Sequence, residues 1–256
     1  MQVLGIFAGT NPEGITAQML ATVMDNVKAP NTAVTINLND FNLHPAGPQH
    51  PNRDLGKLVQ LLIKSDVWVI ATPTYWGQES GTLKQFFDIL RHYLVRIDHR
   101  GGMHPGRFKN KHYVTLTSCY KQAWANFFSP ATDPTFQTVD RVLSTAGLIK
   151  LGEAVQAGTW DHEAQGLPEK KITRLKKLSE KINQSQRKDD QTVKRYFELF
   201  AIVAIMTLIT MGIQVGLSHL VPITGFWWTY FSFVIIFFAL LATILHLLTV
   251  RLHARK

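Results

Sequence analysis

The chain has 256 residues, of which 46% are hydrophobic and 18% charged, and a formal charge of +9. Its single cysteine, Cys119, excludes an internal disulfide framework and a cysteine-only metal cage. A basic excess can serve nucleic acid, but beside the long apolar runs of the last quarter a lipid-facing charge is the simpler reading. No nucleic-acid partner is therefore expected.

Residues 1–8 have no basic leader and too short an apolar core for a signal peptide. They read as a first strand, 2–8, running into a Gly-Thr turn. Gly9-Thr10-Asn11-Pro12-Glu13-Gly14-Ile15-Thr16 then enters a helix at 15–27. Backbone amides at a helix N-terminus, aided by the dipole, bind phosphate without a cation, and Thr10 and Thr16 add hydroxyls. The spacing imitates a Walker A loop, but Ile15 stands where the lysine is required, and it is not a Gly-x-Gly-x-x-Gly turn. A terminal monophosphate suits what is left. The plain alternative is an ordinary strand-to-helix turn with a Thr cap.

A second strand, 33–38, is followed by a long loop, 40–52, with His44 and His50, and a helix at 53–65. Residues 67–72 do not alternate and read as a strand buried on both faces. Pro73 offers no N–H and stops pairing; the chain turns through Tyr75, Trp76 and Gly77. Leu83, Phe86, Phe87 and Leu90 then recur at helical spacing within 80–95, where Lys84 and Asp88, one turn apart, read as a surface ion pair. A second long loop, 96–110, carries His99 and His104. Loops of this length often form functional rims, but these histidines have no second ligand at a fixed spacing, so no metal site is expected. A strand at 112–118 leads to Ser118, Cys119 and Tyr120, followed by a helix at 134–146, a strand at 150–156 and a helix at 168–183. That last helix buries Ile172, Leu175, Leu178 and Ile182. Its cationic face, Lys170, Lys171, Arg174, Lys177 and Lys181, is either merely solvated or rests on anionic lipid.

Five strand-then-helix units specify a parallel sheet with helices on both faces. Right-handed crossovers leave few topologies; five units fit the flavodoxin-like order 2-1-3-4-5, whose ligand sits at the switch between the first and third strands. The expected organisation is an α/β domain over 1–183, a polar linker over 184–195, and apolar runs at 196–220 and 226–250, each long enough to span a bilayer. Trp227, Trp228 and Tyr230 open the second run, where an interfacial aromatic belt would lie. Arg187, Lys188, Lys194 and Arg195 flank one end and Arg251, Arg255 and Lys256 the other, while 221–225 has no Lys or Arg. Cationic flanks stay in the cytoplasm, so the expectation is a two-span cell-membrane protein whose N-terminal domain and C-terminus are both cytoplasmic.

Thr72-Pro73-Thr74-Tyr75-Trp76-Gly77, followed by Gly81-Thr82-Leu83-Lys84-Gln85-Phe86-Phe87-Asp88, resembles the flavin loop and following helix of the NADPH-dependent FMN reductase and quinone-reductase families. The resemblance extends over about residues 1–180. It implies noncovalent FMN, reduced by NADPH or NADH and reoxidised by a small acceptor such as a quinone. Thr10, Asn11, Gly14, Ile15 and Thr16 would then hold the phosphate. Pro73, Thr74, Tyr75, Trp76 and Gly77 would meet the ring and ribityl chain, and Ser118, Cys119 and Tyr120 would close the other side. Pro12 and Gly14 stand where that family often has Arg and Ser, and Cys119-Tyr120 where it often has a Gly pair. Hydride transfer to flavin needs no side-chain acid, so Tyr75 and Tyr120 are candidates only for donating to a reduced quinone oxygen. Cys119 reads as a packing residue; Trp124, Phe127 and Phe128 would shield the ring or form a homodimer surface. The alternatives are an FMN electron carrier without nicotinamide and a non-catalytic interaction domain tethered to the membrane, whose bilayer contact would be common to all three readings.

Overall fold

The computed structural model describes residues 1–44, 52–160, 166–185, 192–218 and 225–255. Its contacts fall into two units, Met1–Arg187 and Lys188–Lys256. In the first unit, Gln2–Phe7 (β1), Thr32–Asn37 (β2), Val67–Pro73 (β3), His112–Ser118 (β6) and Ile149–Gln156 (β7) form one sheet in the order β2-β1-β3-β6-β7, every pair parallel. This is the predicted flavodoxin-like order. All seven residues of β3 and of β6 are buried, as a strand covered on both faces requires.

Helices Arg53–Lys64 (α2), Gly81–Leu94 (α3) and Asp133–Thr145 (α5) cover one face, packing Leu58, Leu62, Phe86, Leu90 and Val139 around Trp68. Trp68 is fully buried; its indole N–H donates to Ser65 Oγ at 2.8 Å, and its ring meets Phe108 edge-on at 5.0 Å. Ile15–Met24 (α1) and Glu169–Gln184 (α6) cover the other face through Met19, Leu20, Leu175, Leu178 and Ile182. Lys84 and Asp88 form the expected exposed ion pair, at 2.6 Å.

Two elements depart from expectation. The loop 96–110 folds into an antiparallel hairpin, Val95–Ile97 (β4) and Met103–Pro105 (β5). Because α3 runs back from the end of β3, this hairpin lies at the amino edge of the sheet, away from the ligand edge, and is not a rim. A short helix, Ala123–Phe128 (α4), follows β6. Residues 45–51 of the other long loop, His50 included, lie outside the described residues.

Helix α6 also ends at the amino edge. Asn183 Oδ1 accepts from the Lys28 amide at 3.0 Å, its Nδ2 donates to Asn26 O at 3.0 Å, and Ser185 Oγ reaches Met1 Sδ. The chain therefore leaves the first unit opposite the carboxyl ends of the strands.

The second unit consists of Thr192–Ser218 (α7) and Phe226–Arg255 (α8). Each holds a stretch long and apolar enough to cross a membrane, Phe200–Ser218 and Phe226–Ile244. The two helices contact each other, and Gln214 Nε2 donates to Thr229 O and Ser232 Oγ, both at 2.7 Å. A polar side chain in an apolar helix pair is best satisfied by such a bond. At the start of α8, Phe226 stacks on Tyr230 and Trp227 on Phe231, while Phe226 meets Trp227 and Tyr230 meets Phe231 edge-on.

Candidate functional site

Strand β1 sends its crossover to one side of the sheet and β3 to the other, which opens a crevice beyond their carboxyl ends. A cavity of about 240 Å³ lies there, lined by Phe7, Gly9, Thr10, Asn11, Gly14, Ile15, Thr16, Pro73, Thr74, Tyr75, Ser118, Cys119, Tyr120, Thr159 and Trp160. None of these side chains carries a charge.

The first loop is shaped by close approach. A Cβ on Gly9 would come within 2.7 Å of the Phe7 ring and 3.3 Å of Pro73 Cδ, so only glycine lets β1 turn here. Asn39 Nδ2 holds the Gly9 carbonyl at 2.6 Å. Asn11 then folds the chain back, its side-chain oxygen accepting from Glu13 N at 3.0 Å and its carbonyl from Gly14 N at 3.2 Å. Gly14 caps α1 with no side-chain acceptor, and the first turn has no acidic residue. The Thr cap of the plain alternative is thus not formed, because each threonine is used elsewhere. Thr16 Oγ1 bonds Ser118 Oγ at 2.6 Å, joining α1 to β6, and Thr10 Oγ1 meets the Tyr75 hydroxyl at 3.2 Å. With no side chain capping it, the α1 N-terminus presents amides and a positive dipole end to the cavity.

The loop after β3 is a two-residue turn. Tyr75 and Gln78 exchange backbone bonds of 2.9 Å, and Trp76 and Gly77 both have positive φ, 54° and 78°, the type I′ geometry. Buried hydroxyls fix its base: Thr74 Oγ1 bonds Thr117 Oγ1 and Thr135 Oγ1, each at 2.9 Å. Ser80 Oγ accepts from Leu83 N at 3.2 Å, capping α3, and donates to Ala8 O.

The loops after β6 and β7 are tied together. Cys119 N donates to Gln156 O at 3.0 Å, Thr159 N to Cys119 O at 3.2 Å, and Gly158 N to Lys121 O at 2.6 Å. This brings Thr159 and the exposed ring of Trp160 to the rim. Cys119 is buried, and burial pushes its thiol pKa up; it is a packing residue at neutral pH.

Of the residues singled out from sequence, the cavity brings together Thr10, Asn11, Gly14, Ile15, Thr16, Pro73, Thr74, Tyr75, Ser118, Cys119 and Tyr120. Trp76 and Gly77 do not line it, and Trp76 is 100% exposed at the apex of the turn. Trp124 and Phe128 are exposed and also outside the lining, and the Phe127 side chain is not described. Sequence reasoning missed Phe7, Gly9, Thr159 and Trp160. The last two follow the fifth strand, so the rule that ligands sit at carboxyl ends was the available signal. Chemically, the cavity offers amides and hydroxyls for an anionic tail and aromatic rims for a flat ring, but no charged acid or base among the described residues. Any redox chemistry here must come from a bound group.

Residues 1–122 match the family model described as NADPH-dependent FMN reductase. The resemblance carried by the Pro73–Gly77 loop is thus found again over the segment that supplies β1, β3 and β6. Among solved structures, the chain is similar to a protein of Streptococcus mutans UA159, with 17% identity, 72% of this chain and 100% of that one covered, and a TM-score of 0.56. It is similar to an NAD(P)H:quinone oxidoreductase from Methanothermobacter marburgensis, with 14% identity, 74% and 99% covered, and a TM-score of 0.56. An azoreductase from Bacillus anthracis has 14% identity, 72% and 100% covered, and a TM-score of 0.53. At these identities the likeness establishes the fold. No curated protein sequence matches the chain.

Proposed function

We propose that the chain is a membrane-anchored NAD(P)H-dependent flavin oxidoreductase that binds FMN in the carboxyl-edge cleft and passes electrons to a quinone or another small acceptor. One observation carries this reading: the segment that matches the FMN reductase family supplies three of the loops converging on a single uncharged cleft. The donor set fits FMN. Amides at the start of α1, with Thr10 and Thr16, suit a terminal monophosphate, and Pro73 to Tyr75 with Ser118 to Tyr120 suit the two sides of a planar ring. FMN held by these residues would supply the two-electron chemistry, with a hydride from NAD(P)H providing both electrons and one proton and water the second proton that the reduced acceptor gains. The protein's own residues bind, orient and exclude water; the hydroxyls of Tyr75 and Tyr120 stand on the rim, where they can donate to an acceptor oxygen.

The purified full-length protein should carry flavin absorbance near one FMN per chain, bleached by NADPH or NADH without oxygen. Thr16→Glu should expel it by setting a carboxylate against the phosphate. Flavin retained but unreduced by either nicotinamide would favour an electron carrier, and a colourless protein that takes up no FMN would leave only the interaction domain. For sidedness, the reading is two spans with both ends cytoplasmic. A Thr224→Cys, Cys119→Ser variant should react with an impermeant thiol reagent on intact cells, whereas labelling of Ala254→Cys instead would reverse the orientation.

A further inference from the structure

We propose that the outward lysine row of α6 docks on anionic phospholipid headgroups, laying this helix along the bilayer surface. The proposal rests on reading the second unit as a membrane anchor. Lys170, Lys177 and Lys181 stand at i, i+7 and i+11, which places them in one row about 40° wide at 100° per residue. The neutral Thr173 and Gln184 fill the adjoining exposed positions. All three lysines are exposed, and none makes a hydrogen bond or ion pair among the described residues. Arg174 and Lys171 flank the row, half-buried, Lys171 donating to Val155 O. The acidic residues of the helix, Glu169 and Glu180, lie with Lys176 on a different flank.

What selects lipid over other anions is the continuation of the chain. The apolar stretch Phe200–Ser218 begins sixteen residues after Gln184, and the intervening sequence sets Arg187, Lys188, Lys194 and Arg195 against Asp189, Asp190 and Glu198. A tether of that length keeps the headgroups within reach of α6, and each lysine favours contact with an anionic surface about fivefold. Helix α6 runs antiparallel to the strands, so a flat α6 sets the strands parallel to the surface. The cleft then opens sideways, along the surface, with Trp160, 71% exposed, on its rim.

The test uses the full chain in vesicles, with a fluorophore on Thr173→Cys in a Cys119→Ser background and an acceptor dye on lipid headgroups. Energy transfer should rise about twofold or more when phosphatidylcholine vesicles gain about 30% phosphatidylglycerol. It should fall back in Lys170→Gln/Lys177→Gln/Lys181→Gln and in about 0.5 M salt, where screening acts within about 4 Å. A probe on Gln60→Cys, on the opposite face of the sheet, should not respond. Equal transfer in the two lipids, or a triple variant that behaves like its parent, overturns the docking while carbonate-resistant insertion leaves the anchor intact. Extraction of the chain by carbonate overturns both.

Discussion

Trp76 occupies the first position of a type I′ turn at φ 54° with its side chain fully in water. That conformation costs a bulky L-residue on the order of 1 kcal/mol, and in isolation glycine or asparagine would be preferred. Trp76→Gly should therefore raise the melting temperature by about 2–4 °C, the shift about 1 kcal/mol produces in a domain of this size. Measured alongside FMN affinity, the same variant tests the expectation that Trp76 meets the ring: higher stability with weaker binding supports it, and unchanged binding removes Trp76 from the site. The position illustrates the limit of sequence at this scale. Thr-Pro-Thr-Tyr-Trp-Gly located the loop, but the backbone sign that turns Tyr75 to the cavity and Trp76 to solvent follows from the Tyr75–Gln78 pairing, which no local spacing encodes. The threonines behave alike. Thr10 and Thr16 were legible as polar groups beside a helix start, whereas their partners, Tyr75 and Ser118, are 65 and 102 residues away.

The packed elements show why the sheet was readable. Strands β3 and β6 are buried on both faces, so apart from His112 at the start of β6 their sequences are apolar or hydroxyl-bearing runs, and the helices between them repeat at helical spacing. The β4–β5 hairpin was not legible because its strands are three residues long and set in a Gly-rich segment. The contact of α6 with β7 holds an electrostatic strain open to test. Lys171 is half-buried with its ammonium on Val155 O, and burial, with Arg174 and Lys170 nearby, lowers its pKa to about 8. A base whose folded pKa is depressed destabilises the fold while both states hold the proton. Stability therefore rises with pH between about 8 and the unfolded value of 10.5, where only the unfolded chain remains protonated. Lys171→Met should raise the melting temperature at pH 7 by roughly 3–8 °C. Most of that gain should be gone at pH 10, and a gain of equal size at both pH values would refute the assignment.

At the scale of the molecule, the first unit closes its own core and the chain leaves it at the amino edge, whereas the cleft opens at the carboxyl edge. A chain ending at Arg187 should accordingly be soluble without detergent, bind FMN within about threefold of the full-length affinity and keep its rate with water-soluble acceptors. Loss of flavin on truncation, at an unchanged melting temperature, would mean that the tail helps to build the site. The division proposed from sequence rests on a composition break from mixed to uncharged residues, which needs no long-range information. The exit edge was not legible, because it depends on which way the last helix runs against the sheet.

A cleft whose described lining has no charged side chain has a consequence for how its occupant responds to solution conditions. Amides and hydroxyls do not titrate between about pH 5 and 9, so within that range the protein side of the binding equilibrium is constant, and only the ligand's phosphate, with a second pKa near about 6, changes charge. Flavin affinity should therefore follow a single protonation with that midpoint, strengthening as the phosphate becomes dianionic at the α1 amides. Because no lysine or arginine is paired with it, screening has only a helix dipole to weaken. Raising salt tenfold should change the dissociation constant by less than about threefold, and a steeper dependence measured by fluorescence titration would require a cation beyond the described lining.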